Sequence, residues 1–199
     1  MKKCIAVTGG IGSGKSAVLQ IIKNMGYSVF SCDEIYKEIC KDKEYVGKIG
    51  KTFDGVVKDG NIDRIALGKT VFADEAARKR LDEIAHPRIM TRLFEKMRSC
   101  EDDRVFAEVP LLFEGGFEGR FDGVLVVLRE KEDRVEAICQ RDGVDKNTAL
   151  TKMSSQFNYD ADKNKSKLAT SNLFLIQNKG SIEELRLKVE KAVNYFDGL

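Results

Sequence analysis

The chain has 199 residues, 42% apolar and 33% charged, enough to bury a core and ordinary for a globular enzyme. Its 34 basic and 32 acidic side chains leave a net charge of +2, which argues against nucleic acid or an anionic membrane as partner. Five scattered cysteines without CxxC spacing argue against a disulfide framework or zinc site and for a reduced, cytoplasmic setting. No apolar run reaches membrane-spanning length, and MKKCIAVTGG is too short for a signal segment.

The first predicted element is CIAVT (Cys4–Thr8), a strand apolar on both faces. It runs into GGIGSGKS (Gly9–Ser16), which satisfies G-x-x-x-x-G-K-[ST] with Gly9 and Gly14 framing the loop. Glycines permit positive φ, and such a loop turns its N–H groups inward as an anion nest at a helix N-terminus. Helical periodicity resumes in KSAVLQIIKNM, so the motif lies between strand and helix, as its mechanism requires. Lys15 is expected to reach the β- and γ-phosphates of a nucleoside triphosphate, and the Ser16 hydroxyl to ligate Mg²⁺. The bland alternative, a plain glycine-rich turn, fits that context poorly.

A second strand, YSVFSC (Tyr27–Cys32), leads to Asp33. A carboxylate at the carboxyl end of a strand beside the loop strand lies where ligands of open α/β sheets gather. There it either takes the proton of an attacking hydroxyl or serves as a helix N-cap. From Asp33 to about Cys100 no strand is apparent, only amphipathic pieces such as RIALGKTVF and EAARKRLDEIA, which predict a helical insertion suited to an acceptor pocket. Strands RVFAEV (Arg104–Val109) and GVLVVL (Gly123–Leu128) follow, then a polar helical interval from Arg129 to about Thr170 that reads as a mobile lid. The run EKEDR (Glu130–Arg134) within it reads as a solvated helix start. The strand LFLIQ (Leu173–Gln177) and the helix SIEELRLKVEKAVNYF close the chain, with Ser181 and Glu184 at capping-box spacing. The alternation predicts an α/β fold with a parallel five-stranded sheet flanked by helices, of the P-loop NTPase type.

Three classes of phosphate-loop protein compete. A GTP switch needs DxxG and NKxD; no Asp is followed three residues later by Gly, and QNKGS (Gln177–Ser181) lacks the Asp that reads guanine. A transporter ATPase would carry an LSGGQ-like stretch, which is absent. A kinase is left, and it needs an acceptor pocket with a base near the γ-phosphate.

With these residues assembled, the chain resembles the dephospho-coenzyme A kinases. The resemblance rests on AVTGGIGSGKS, Asp33, IDRIALGKTVF…RLDEIAHPRI (Ile62–Ile89), VPLLFE (Val109–Glu114), QRDG (Gln140–Gly143), Gln156 and NKG (Asn178–Gly180), in order along nearly the whole chain. It implies a core at 1–33, 101–128 and 171–199, a helical coenzyme-binding domain at 34–100 and a helical lid at 129–170. It also implies transfer of the ATP γ-phosphoryl group to the ribose 3′-hydroxyl of dephospho-CoA, the last step of coenzyme A synthesis.

Residue by residue, the resemblance implies Asp33 as general base and Gly10, Gly12, Ser13, Gly14, Lys15, Ser16 and Ala17 as nucleotide loop. It implies Arg141 as a lid arginine that offsets charge on the transferred group, with Lys15, and Asn178 and Gly180 beside the nucleotide. His86 and Pro87 match the coenzyme-domain signature. Departures are Ser31-Cys32-Asp33 for Asp-x-Asp, Ala17 for Thr, Glu108 for an Asp that would hold Mg²⁺, Arg134 with Ala137 for Gln-x-x-Arg, and Asn172 for Asp. The stretch FNYDADKNKSKLATSN is also longer than the pattern.

Ordinary readings stand beside these. His86, the only histidine, precedes Pro87 at a helix junction and is read first as an architectural hydrogen-bonding group, then as a substrate contact. Arg64 either binds a coenzyme phosphate or pairs with an acid. The leucines of PLLFE read as core, with Leu111 also carried as a substrate contact, and Glu114 either faces the acceptor or caps a turn. The expected cofactors are ATP and Mg²⁺. The expected partner is the small-molecule acceptor, without nucleic acid or membrane, and the expected state a monomer.

Overall fold

The computed structural model describes residues 2–198 except Ser155, Asp160, Asp162, Lys163, Lys165, Thr170 and Ser171; the share of the expected lid interval that falls on these positions lies outside the described residues. Two compact units form, Met1–Phe30 with Cys100–Leu199, and Ser31–Ser99. In chain order the elements begin with β1 (Lys3–Thr8), α1 (Lys15–Asn24), β2 (Ser28–Ser31), α2 (Cys32–Ile39) and α3 (Lys43–Thr52). There follow β3 (Val57–Lys58), β4 (Asn61–Ile62), α4 (Arg64–Ala73), α5 (Glu75–Ser99) and β5 (Arg104–Glu108). The chain ends with β6 (Gly123–Leu128), α6 (Lys131–Asp142), α7 (Lys146–Ser154), β7 (Leu173–Gln177) and α8 (Ile182–Tyr195).

The five-stranded parallel sheet has the order β2-β5-β1-β6-β7. Its central strands are buried on both faces, which is why they read as unbroken apolar runs rather than alternating ones. Ile5 and Val7 of β1, Phe106 of β5, and Leu125 and Val127 of β6 form the centre of the core. Against them α1 sets Val18 and Ile22, one helical turn apart, and α8 sets Leu185, Val189 and Val193. Phe196, fully buried, closes the layer. At about 1.5–3 kcal/mol per fully buried aliphatic or aromatic side chain, this layer is the main source of stability in the unit. The capping box of α8 forms in both directions between Ser181 and Glu184.

The strand order corrects one expectation: β2 is not beside β1, because β5 intervenes. Asp33 therefore follows an edge strand, whereas Glu108 ends the strand paired with β1, in register with Val7. The insertion is also not strand-free. Val57–Ile62 is a two-residue hairpin, closed where Asp59 and Gly60 both take positive φ, 50° and 73°. That pair of left-handed residues is what an Asp-Gly turn supplies. Nor does Pro87 stand at a helix junction; it lies inside α5. A proline there has no N–H for the carbonyl four residues back. The helix continues because Ala85, Met90, Leu93, Phe94 and Met97 are buried along it and anchor both sides of the proline. Among the described residues, no helix is long and apolar enough to cross a membrane.

Gly123 opens β6 under the Phe196 ring and the Ile5 side chain, and a Cβ there would strike both. Gly123→Ala is expected to lower stability by about 1–3 kcal/mol through overpacking, read from urea melts. Adding Phe196→Leu should recover part of the loss, because the two sites share one contact.

Candidate active site

The loop between β1 and α1 carries its glycines where L-residues would be strained: φ is 148° at Gly9, 78° at Gly12 and 93° at Gly14. Gly14 is the N-terminal cap of α1, and its carbonyl accepts from the Ala17 and Val18 amides. The Ser13 amide turns back onto the Gly10 carbonyl at 3.1 Å. Lys15 folds over the loop, its Nζ donating to the carbonyls of Gly9 (2.8 Å) and Gly10 (3.2 Å). Ser16 is exposed in the first turn of α1. The Ser13 hydroxyl is buried and has no hydrogen-bond partner.

Other segments of the same unit hold this loop from outside. The Arg134 Nε donates to the Ile11 carbonyl at 3.0 Å. Its guanidinium occupies the space a Cβ on Gly10 would need, and its backbone the space a Cβ on Gly12 would need. Arg134 is accordingly buried, which corrects the reading of Glu130–Arg134 as wholly solvated: the guanidinium leaves water to satisfy a loop carbonyl. Gln156 Oε1 accepts the Ile11 amide at 2.6 Å. Asn178 donates its side-chain amide to the Ser13 carbonyl at 2.8 Å, against Gly14. Gly180, at φ 95°, stands where a Cβ would meet the Glu184 carboxylate. Tyr159 contacts the Thr8 hydroxyl at 3.4 Å, and burial pushes its phenol up to about 12.

Behind the loop a cavity of about 170 Å³ is lined by Gly10, Ser13, Leu128, Glu130, Arg134 and Tyr159, among others. Glu114 accepts the Phe157 amide at 2.7 Å, so it serves a neighbouring segment rather than its own turn. Leu112 is core, but Leu111 is 37% exposed, which corrects the reading of both leucines as buried. Arg141 is exposed, and its fork binds Asp142 through two hydrogen bonds, of 2.7 and 3.1 Å. Arg141 and then Lys152 hold the Asp142 carboxyl well below the usual carboxylate range.

In the second unit Asp33 is exposed in the first turn of α2. The cap of that helix is Ser31, whose hydroxyl accepts the Asp33 amide at 3.2 Å, so the Asp33 carboxylate is not the cap. Arg64 opens α4 behind the cap Asp63 and stands exposed, with Tyr36 and Cys40 within its electrostatic reach. His86 Nε2 lies 3.5 Å from Asp82, one turn earlier on α5. Pro87 lines a cavity of about 640 Å³ with Asp42, Arg88 and Arg92.

The residues that would hold Mg²⁺ are Ser16, through its hydroxyl, and Glu108, through its carboxylate, both hard oxygens. Among the described residues no three His, Cys, Asp or Glu side chains cluster as a metal cage. That set fits Mg²⁺, which retains waters and shares phosphate oxygens instead of taking an all-protein cage.

A strand–GGIGSGKS–helix loop on a parallel sheet of this order defines a P-loop NTPase-type α/β protein. Comparison with known proteins narrows the class, because the family model described as dephospho-CoA kinase matches residues 3–184. The chain belongs to the dephospho-CoA kinase family. A dephospho-CoA kinase of Thermus thermophilus is 35% identical over 189 residues, covering 95% of this chain and 89% of that relative. One from Fusobacterium nucleatum is 32% identical, covering 94% and 95%. Among solved structures, a Thermus thermophilus protein superposes with a TM-score of 0.79 at 32% identity, over 97% of this chain and 95% of its own. Dephospho-CoA kinase from Campylobacter jejuni gives 0.69 at 29% identity, over 98% and 96%.

Tyr159 supplies a pH test. A phenol raised in the fold from 10 to about 12 ionises more readily in the unfolded chain. Its stabilisation is whole below pH 10 and is lost as pH rises toward about 12. Tyr36, also pushed up to about 12 by burial, adds to the same fall. Tyr159→Phe should flatten part of that decline in urea melts run from pH 9 to 12; an unchanged slope would contradict the burial argument.

Proposed function

We propose that the protein transfers the γ-phosphoryl group of ATP to the ribose 3′-hydroxyl of dephospho-CoA, giving coenzyme A and ADP. The observation that carries this reading is the joining, in one chain, of a phosphate loop with its glycines at positive φ to a family match along residues 3–184. Asp33, exposed just beyond β2, takes the proton of the attacking hydroxyl and orients it. Lys15 leaves the Gly9 and Gly10 carbonyls for the β- and γ-phosphates, and the loop amides donate to the remaining phosphate oxygens. Arg141, drawn from Asp142, offsets charge on the group in flight. Ser16, with Glu108 directly or through water, would hold Mg²⁺, which when bound neutralises phosphate charge.

Arg64, His86, Pro87, Leu111 and Glu114 are proposed to shape the acceptor side, and Asn178 and Gly180 the nucleotide side. The proposal includes residues 129–170 as a closing lid that keeps water from competing as acceptor. It also includes a cytoplasmic monomer, in keeping with five cysteines that are not in disulfides.

Two measurements test this reading. ADP release from ATP should depend strictly on dephospho-CoA; equal release without it would make the protein an ATPase. Asp33→Asn should leave ATP binding intact and lower kcat by about 10²-fold or more, through loss of the base and its positioning. An unchanged kcat would remove Asp33 from the mechanism.

A further inference from the structure

Ile11 forms the apex of the phosphate loop, and both peptide planes that meet at it are held from outside. In the plane between Gly10 and Ile11, the carbonyl accepts the Lys15 ammonium at 3.2 Å while the amide donates to Gln156 Oε1 at 2.6 Å. In the plane between Ile11 and Gly12, the carbonyl accepts Arg134 Nε at 3.0 Å. The Ile11 side chain packs on a small apolar cluster formed by Val135, Ile138 and Ala149 of α6 and α7. Glycines flank Ile11 on both sides, so the backbone there has little torsional preference of its own. Neither glycine can be replaced by a stiffer residue, because Arg134 fills the space a Cβ would take.

We infer that Gln156 is a positioning residue for the nucleotide: by holding the Ile11 amide it fixes the peptide plane whose carbonyl parks Lys15, and so sets the loop in the shape that receives phosphates. Gln156 lies two residues beyond α7, in a segment tied to the rest of its unit at two further points. The Phe157 amide reaches Glu114, and Tyr159 reaches Thr8 at the end of β1. The carboxamide is thus delivered by an anchored stretch of chain. Its loss leaves the Gly10–Ile11 plane held on its carbonyl side alone, by the Ser13 amide and Lys15. The plane can then tilt and shift the carbonyl on which Lys15 partly rests. The effect falls on ATP and not on the acceptor.

This inference rests on the reading of the loop as an ATP site, and the experiment keeps the two apart. Calorimetric titration of the full chain with ATP and Mg²⁺ alone, and separately with dephospho-CoA alone, is compared for wild type, Gln156→Met and Gln156→Glu. Methionine keeps the size and removes the acceptor; glutamate keeps an acceptor oxygen. Gln156→Met should weaken ATP about tenfold, as expected for stranding a half-buried amide, with dephospho-CoA affinity within about twofold. Gln156→Glu should bind ATP within about threefold of wild type. Unchanged ATP affinity in the methionine variant, or parallel loss of both ligands, overturns the inference. If the methionine variant does not fold, a tenfold ATP loss in the glutamate variant overturns it, and wild-type-like binding there supports it. Wild type that binds no ATP would instead refute the ATP reading itself, and this inference with it.

Discussion

A loop that offers its amides to phosphate must send its carbonyls somewhere else, and the site is arranged around that requirement. A backbone polar group removed from water without a partner costs about as much as a lost hydrogen bond. Here the Gly9 and Gly10 carbonyls take Lys15, the Ile11 carbonyl takes Arg134 and the Ser13 carbonyl takes Asn178. The last two bring their residues against glycines: the Arg134 guanidinium on Gly10 and its backbone on Gly12, the Asn178 side chain on Gly14. The glycines are needed twice over, for positive φ at Gly12 and Gly14 and for the close approach of the groups that satisfy their neighbours.

That accounting links the loop to distant segments of its unit. Arg134 is in the first turn of α6, and Asn178 follows β7, with its amide on the Leu128 carbonyl at the end of β6. The two strands on one side of β1 therefore end in residues that shape the loop. On the other side β5 ends in Glu108, whose register with Val7 places a carboxylate one strand away from the loop. The order β2-β5-β1-β6-β7 thus surrounds a phosphate cradle with hydrogen-bonding groups on one flank and an acid on the other. Ligands of open parallel sheets gather at such a place for this reason.

What the sequence discloses of this follows from the range of each interaction. The central strands β1, β5 and β6, buried on both faces, must be continuously apolar. The shorter runs of β2 and β7 are apolar enough that all five could be read within a residue or two of their ends. The GGIGSGKS loop and the Ser181–Glu184 box are local patterns with local causes. The Val57–Ile62 hairpin was legible too, since Asp59-Gly60 between alternating residues is a turn signal; its two-residue strands are too short to show periodicity. Pro87 misleads because its local rule is overridden by apolar burial along a 25-residue helix. The burial of Arg134 has no local cause at all: its partner carbonyl lies 123 residues away, and within EKEDR it has the composition of a solvated turn. Gln156 is hidden for the same reason, as a polar residue in a polar stretch whose partner is 145 positions distant.

The two arginines of α6 show how one helix separates holding from reacting. Arg134 and Arg141 are seven residues apart, two helical turns, yet one is buried against a loop carbonyl and the other lies exposed on Asp142. Removing Arg134 from Ile11 would leave a half-buried carbonyl and a buried guanidinium without that bond, a loss of the kind that makes such contacts permanent. The pair of Arg141 with Asp142 is of the exposed type, weakened by solvent screening, and Lys152 remains on Asp142 at 2.6 Å if the arginine departs. A phosphoryl group carrying more charge and offering bidentate oxygens is the stronger partner for a guanidinium. Under the proposed reaction, then, Arg134 gives the cradle its shape throughout the cycle. Arg141 is held loosely enough to be drawn to the phosphates when they arrive, and Lys152 keeps the vacated carboxylate from becoming a competing charge.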